Sequence, residues 1–412
     1  MNRTRIHLYV VALVALVLGL AAPSVHAQFG MGGGMGGGDF QLPITRRGVD
    51  AYAKILGLDE DQKAAALTLF EGYRADHKAV RDDVKKAMEE LQAKFRDTMD
   101  MSVFKDAGKQ MKPLTKRMED LEEQYFTDLR SLLNEGQSER FPRVERYRRR
   151  ETGLMFAMVG GARVDLIDVV AKAGVDPAAD PSLAETLQSY ELDLDRLLAA
   201  REAGMKGFEE EGEKVAEEAM QMNFARVEKM FKAWMDLERP MRDLNKNYAR
   251  RITPMLPADK QAAFESNFKL RSYPSVYRTP HTMKEIDAAL KLEDLDADRR
   301  TQIEGIRAAY ERDLEVANGK WAAAIEEKDD KGIIPWMAMM GGGKENPIAG
   351  PRSERRELDK GVRERLHALL SPEQKEKLPK EPKRDQTEEA MDMMGMDIDP
   401  ELMQEMQQFE EE

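Results

Sequence analysis

The sequence predicts an all-α protein of three tandem antiparallel helical hairpins with short flanking helices, and three observations predict it. Apolar residues recur every three or four positions over long stretches, as in Phe70, Tyr73, His77, Val80, Val84, Ala87 and Leu91, the seam of one helix packed on another. A block with fixed internal spacing occurs three times. Near its front stand Tyr73-x-x-Asp76, Tyr190-x-x-Asp193 and Tyr310-x-x-Asp313. Near its back stand the triplets Leu121, Leu129, Leu133; Leu244, Ile252, Leu256; and Leu358, Leu366, Leu370, separated by 123 and then 114 residues. Such self-similarity marks a supersecondary unit used repeatedly. Finally, the joints between helices carry a leucine, a capping residue and a glutamine three positions after the cap.

Taken in order, Arg3 and Arg5, the apolar run from Leu8 to Ala22, and Val25-His26-Ala27 predict a signal peptide over 1–27, removed after Ala27. That run is shorter than the roughly 20 residues of a spanning helix, so an exported protein, periplasmic or secreted, is expected, without membrane insertion after signal removal. Residues 28–45 open with a Gly/Met-rich stretch containing Met31 and Met35, which predicts a flexible leader. Repeat 1 is placed at 46–155. Its first long helix is expected from about residue 60 to 95, and Pro113 is expected in the first turn of the return helix, where its missing N–H costs nothing.

Repeat 2, 156–279, keeps the seam through Val227, Phe231, Trp234, Met241, Leu244 and Tyr248. Gly204, Gly207, Gly212 and Pro240 predict a bent or broken hairpin there. Repeat 3, 280–382, shows Ile303, Ile306, Tyr310, Leu314, Ala317, Trp321 and Ala324, followed by the last triplet. The end, 383–412, is an acidic Met-rich tail: from Asp385 on there are eleven acidic residues and no Lys or Arg, a disorder-prone composition. Leu402, Met406 and Phe409 fall at helical spacing within it, which admits a short docking helix.

Formal net charge is −13, and loss of 1–27, with its two arginines, makes it −15. That balance argues against nucleic-acid or anionic-membrane partners. The counter-example is Arg140 to Arg150, six arginines around Phe141 and Tyr147, read as a helix face pairing with neighbouring Glu. With no cysteine, there is neither a disulfide framework nor a thiolate site.

The joints read Leu58-Asp59-Glu60-Asp61-Gln62, Leu133-Asn134-Glu135-Gly136-Gln137 and Leu370-Ser371-Pro372-Glu373-Gln374, with Leu256 to Gln261 one residue longer. Asp, Asn or Ser accepts from the new helix's first N–H groups while Gln reaches back, a capping box. Leucine, cap, two variable positions and glutamine, in a cysteine-free and Met-rich chain, resembles the LTXXQ-motif family of Spy- and CpxP-like periplasmic stress proteins. Thr is replaced by Asp, Asn or Ser, and Leu295 to Arg299 ends in Arg where Gln is expected. The resemblance spans most of 46–380 and implies an all-helical, hairpin-based chaperone or envelope-stress adaptor acting without ATP on unfolded or envelope proteins.

Catalytic signatures are missing: Gly341-Gly342-Gly343-Lys344-Glu345 lacks the earlier glycine and the Ser/Thr of a phosphate loop, and neither Gly-x-Ser-x-Gly nor His-Glu-x-x-His occurs. His77 lies on a seam, His281 and His367 stand at unrelated positions, and Glu364-x-x-His367 lacks the second copy that a di-iron site needs. No enzyme and no cofactor are expected. Methionine is the residue of interest at the hairpin tips: Met99 and Met101, Met220 and Met222, Met337 and Met339 with Met340. Val103 and Phe104 accompany the first tip, and Ile333, Ile334 and Trp336 the third; they read as exposed, with a tip that folds back and buries them as the alternative. Polarizable thioethers suit varied apolar clients and also soft monovalent copper. The expected function is therefore client binding through these tips and concave helical faces. A copper sensor or store using the Met-x-Met tips, and a structural scaffold, are the alternatives.

Overall fold

A computed structural model of the chain describes residues 43–98, 107–155, 157–220, 225–334 and 346–381, with the side chains of 107–109, 155 and 206–220 outside the description. Among the described residues all regular structure is helical, as the periodicity predicts. In chain order the helices are α1 (Arg46–Leu56), α2 (Glu60–Thr98), α3 (Ala107–Ser131), α4 (Glu135–Ser138), α5 (Phe141–Met155), α6 (Leu166–Lys172), α7 (Pro181–Met220) and α8 (Ala225–Ile252). There follow α9 (Ala258–Ser272), α10 (Pro274–Tyr277), α11 (His281–Ala289), α12 (Ala297–Asp330), α13 (Ala349–Ala368) and α14 (Pro372–Glu376).

The chain forms two compact units, and their limits differ from the three-part division read from the repeats. Unit 1 is the chain to Phe156 with Glu191–Leu237; unit 2 is Ala157–Tyr190 with everything from Glu238 on. The second repeat is thus divided within α7 and α8. Polar contacts follow the same division. In unit 1, α5 grips α7 through Arg146 and Arg150 on Glu191 (3.1 and 3.2 Å) and Arg149 on Asp195 (2.5 Å). In unit 2, Glu238 and Asn245 of α8 hold the segment that enters α6.

In unit 1, Thr45 caps α1 by accepting from Gly48 N–H, and Gly57 ends it at φ 67°. A side chain there would be strained, and its Cβ would lie 2.8 Å from the Arg140 guanidinium. The 39 residues of α2 extend about 58 Å at 1.5 Å per residue. Gln62 reaches Leu132 O, the Tyr73 and Tyr125 rings lie 5.8 Å apart, and Asp83 meets Arg117 at 3.5 Å, so α2 and α3 run antiparallel. Phe70, Tyr73, Tyr125, Leu129, Phe141 and Val144 share one core with Tyr52 and Leu56 of α1, and Leu121 and Leu133 pack against it.

Three local expectations are corrected. Pro113 is not in the first turn, because α3 begins at Ala107; its ring is exposed near the helix start. Pro240 interrupts nothing: α8 runs through it with the proline exposed, while Glu238 and Asn245 bind on either side. Nor does Gly204 end a helix, since α7 continues to Met220. Its hydrogen admits Leu237, whose Cδ1 would stand 2.6 Å from a Cβ at that position.

In unit 2, Tyr310 bonds Asp359, Asn318 meets Arg355 at 3.0 Å and Lys320 meets Glu354 at 2.9 Å, so α12 and α13 run antiparallel. Their core of Ile286, Ile303, Tyr310, Val362, Leu366 and Leu370 also takes in Leu378 beyond α14, and Leu358 packs against it. No described helix is long and apolar enough to cross a membrane.

Candidate functional site

The two residue types that repeat in the sequence have structural duties with long reach. Tyr73 OH accepts from Ile44 N–H at 3.1 Å, just before α1. Tyr190 OH accepts from Leu166 N–H at 3.2 Å, at the start of α6, and lies 3.1 Å from Val164 O and 2.9 Å from Asn245 Oδ1. The Tyr310 hydroxyl bonds Thr282 in the first turn of α11 and donates to Asp359. Each tyrosine therefore ties the short leading helix of its repeat to the long helix that follows. Burial holds Tyr73 and Tyr310 above their ordinary pKa, with Asp359 adding to the rise at Tyr310, so both hydroxyls remain protonated. The aspartates of the motif do surface work: Asp76 and Asp313 are exposed and Asp193 pairs with Arg196.

The glutamines of the first two joints close on each other. Gln62 Nε2 donates to Gln137 Oε1 and Gln137 Nε2 to Gln62 Oε1, both at 2.8 Å, a cyclic amide pair. The other N–H of each reaches the partner joint's backbone, Gln62 to Leu132 O at 2.7 Å and Gln137 to Gly57 O at 3.1 Å. Each Oε1 also accepts from its own cap residue, Asp59 N–H or Asn134 N–H, at 3.1 Å. Both amides thus fill two donor and two acceptor positions, their full capacity. The capping box at Ser371 and Gln374 forms too, but Gln374 Nε2 finds only Asp294 O, at 3.1 Å. Gln261 bonds Leu256 O within its own joint.

Beside the first joint an open groove runs between α1 and α2. Val49, Ala53, Leu58 and Leu67 form its apolar lining, and Arg46 and Lys54 stand on its rim with Asp50, Glu60 and Lys63. The amide pair fixes the corner that shapes it, because Gly57 and Leu58 line the groove and Gln137 holds Gly57 O.

Met99, Met101, Val103, Phe104, Met222, Trp336, Met337, Met339 and Met340 lie outside the described residues, as does the side chain of Met220. Ile333 and Ile334 are described, and the expectation of exposure is corrected for both: each is 5% exposed. Helix α12 ends at Asp330, and the chain turns at Gly332 (φ 59°), whose N–H bonds Asp329 O while Ile333 N–H bonds Lys328 O at 3.0 Å. This C-terminal turn folds the chain back over the helix end, burying two side chains worth about 1.5–3 kcal/mol each.

Arg146, Arg148, Arg149 and Arg150 of α5 pair with carboxylates within unit 1, while Arg143 is exposed. Arg148, buried, makes a two-pronged bond to Glu122 (2.9 and 2.6 Å) and a third to Glu151 (2.8 Å). Burial opposes its charge, but the hydrogen bonds and charge of Glu122, with Tyr52 and Glu151, outweigh that and hold its pKa up. The pairing with Glu matches the sequence reading; the burial of Arg148 and Arg150 does not. His77 packs against the Tyr73 ring, and burial first, then Arg81 and Arg148, draws its pKa from 6.5 to about 4.

Sequence reasoning missed two clusters in unit 2. His281 and His367, read as unrelated, both approach Glu285 Oε1, at 3.4 and 3.5 Å, while Arg363 takes Oε2 at 3.0 Å. The i,i+4 spacing of His281 and Glu285 was the available signal; His367 arrives from α13. The fully buried Glu238 accepts from Met158 and Val159 N–H (2.6 and 3.0 Å), and Asp329, also fully buried, from Gly160 N–H (2.9 Å). Among the described residues no group of His, Cys, Asp or Glu has the arrangement of a metal site. Comparison with family models, curated proteins and solved structures finds no match.

Proposed function

We propose that this protein is an exported, ATP-independent chaperone or envelope-stress adaptor that binds unfolded or partner proteins. The observation that carries the reading is the amide pair between Gln62 and Gln137 beside the α1–α2 groove. It gives the LTXXQ-like joints a constructive role and leaves next to them an apolar trough rimmed by both signs of charge. An unfolded segment brings apolar side chains flanked by either charge, and such a trough accepts it without demanding one sequence. The Met-rich tips are the second contact, now confined to Met99, Met101, Val103, Phe104, Met220, Met222, Trp336, Met337, Met339 and Met340, because Ile333 and Ile334 serve packing.

The test is light scattering from a chemically unfolded client diluted into buffer without nucleotide or metal. The full chain is compared with Leu67→Asp in the groove and with deletion of Trp336 to Met340. Suppression of aggregation near stoichiometric ratio, weakened by either change, supports the proposal. No suppression by the unaltered protein overturns it and moves the copper and scaffold readings forward. Suppression indifferent to both changes overturns this assignment of the surface.

A further inference from the structure

A second groove lies in unit 2 between α12 and α13, and its chemistry fits a segment of this same chain. Ile306, Ala309, Ala368 and Leu369 form its apolar lining, with Gly305 open between them, and Arg365 is the charged residue that lines it. Among the described residues Arg365 bonds only Gly361 O, at 3.3 Å. Arg312, exposed and one turn beyond Ala309, has no ion-pair partner there either. Val316, a turn further on, is 63% exposed. The face is therefore apolar, continued by an exposed valine, and edged by two uncompensated cations.

The chain leaves the described fold at α13, on the side where Arg363 meets Glu285 of α11. Leu378 is buried in the α12–α13 core, Lys377 pairs with Asp294 at 3.1 Å, and Glu381 bonds Arg363 of α13 at 3.0 Å. Arg365 lies on the same helix about 200° around from Arg363, so the segment rounds α13 to reach the groove. Beyond lies the segment with eleven acidic residues and no Lys or Arg after Asp385. Within it, Asp399-Pro400-Glu401 carries the start signals of a helix, an Asp cap, Pro at the first position and an acid in the first turn. Leu402, Met406 and Phe409 then mark one helical face.

Dimensions agree as well. The groove side of α12 runs from Gln302 to Ala309 and the apolar face of the segment from Leu402 to Phe409; each is about 10 Å at the helical rise. Twenty residues separate Glu381 from Leu402, a coil of roughly 25 Å end to end.

We infer that residues 400–409 occupy the α12–α13 groove, with Leu402, Met406 and Phe409 against its apolar lining and the acidic residues toward Arg365 and Arg312. This occupancy does not depend on client binding. The absence of cysteine gives a clean background for the test. Full-length protein carrying Phe409→Cys with Ala309→Cys, or with the exposed Ala368→Cys, is oxidised and its cross-links mapped by mass spectrometry. A control pairs Phe409→Cys with Glu304→Cys, exposed on α12 and outside the groove lining. The expected result is an intramolecular disulfide forming about tenfold faster in the groove pairs than in the control, since docking raises effective concentration, and an added Leu402→Asp erasing that difference. Equal rates in all pairs, or no cross-link in either groove pair, overturn the inference. Cross-links joining two chains overturn it as well and make a second copy the occupant.

Discussion

Where α1 meets α2 two neutral amides hold the joint, whereas where α8 holds the segment entering α6 the same duty falls to a buried carboxylate and one asparagine. Gln62 and Gln137 saturate each other. In the second repeat Glu238 takes the Met158 and Val159 amides, and Asn245 reaches Gly161 O and Val164 O. The third is intermediate: Gln374 bonds a carbonyl, and Arg300 of α12 bonds Leu290 O and Leu292 O. An amide pair needs a glutamine in both joints. Where Arg299 replaces one, or Gln261 stays within its own joint, the fold recruits other polar groups. What all three share is the tyrosine.

The comparison breaks most visibly at Glu238. Glu238→Ala orphans two backbone N–H groups and removes a fully buried charge, and should cost about 3–5 kcal/mol in urea unfolding of the full chain. A loss no larger than at Gln137 would show that the buried carboxylate has no special weight.

His77 sharpens the contrast by pH. Its pKa in the folded chain is about 4 against 6.5 in the unfolded chain, so the unfolded state takes up the proton first. Stability is therefore full above 6.5, falls as pH drops through the window from 6.5 to 4, and levels off below. Between pH 7 and 4.5 the loss is about 2–3 kcal/mol, and His77→Leu should remove that slope from the urea midpoint.

Next in size is the amide pair itself. Gln62→Ala and Gln137→Ala should each cost about 1–3 kcal/mol, and the double variant should cost less than their sum by about 1–2 kcal/mol. Gln261→Ala with Gln374→Ala, residues that never meet, should be additive. Additivity in both pairs would mean the two amides share no energy.

The smallest effects come from glycine. Gly204→Ala meets Leu237 and should destabilise by about 1–3 kcal/mol. Gly72→Ala finds nothing within 4 Å and should stabilise by about 0.5–1 kcal/mol, read as a rise in thermal midpoint.

These contrasts also separate what was legible in the sequence from what was not. Helices, seams and capping boxes were legible because they rest on neighbours three or four residues apart, and the periodicity of Phe70 to Leu91 is local. The position of each repeated tyrosine was visible, but its duty was not, since Tyr73 acts on an amide 29 residues away. The amide pair joins residues 75 apart, and the approach of His281 and His367 to Glu285 depends on α11 packing beside α13. Gly204 and Pro240 were read by propensity alone; tertiary contact with Leu237, and exposure of the proline ring, overrode it. Of the proposed client contacts, most of the tip lies outside the described residues. Ile333 and Ile334 follow the alternative of a tip that folds back, through the turn at Gly332.

The amide pair also gives the first joint a chemical lifetime. Hydrolysis of one glutamine side chain to glutamate changes its shape hardly at all but replaces the donor nitrogen by a charged oxygen. At Gln62 that oxygen would face Leu132 O at 2.7 Å and Gln137 Oε1 at 2.8 Å, two acceptors with no proton between them. A single slow reaction, a mass change of about one dalton, thus turns two of the four satisfied contacts repulsive. Ageing of this chain should register first as loosening at α1, where Gly57 and Leu132 are held by those same nitrogens.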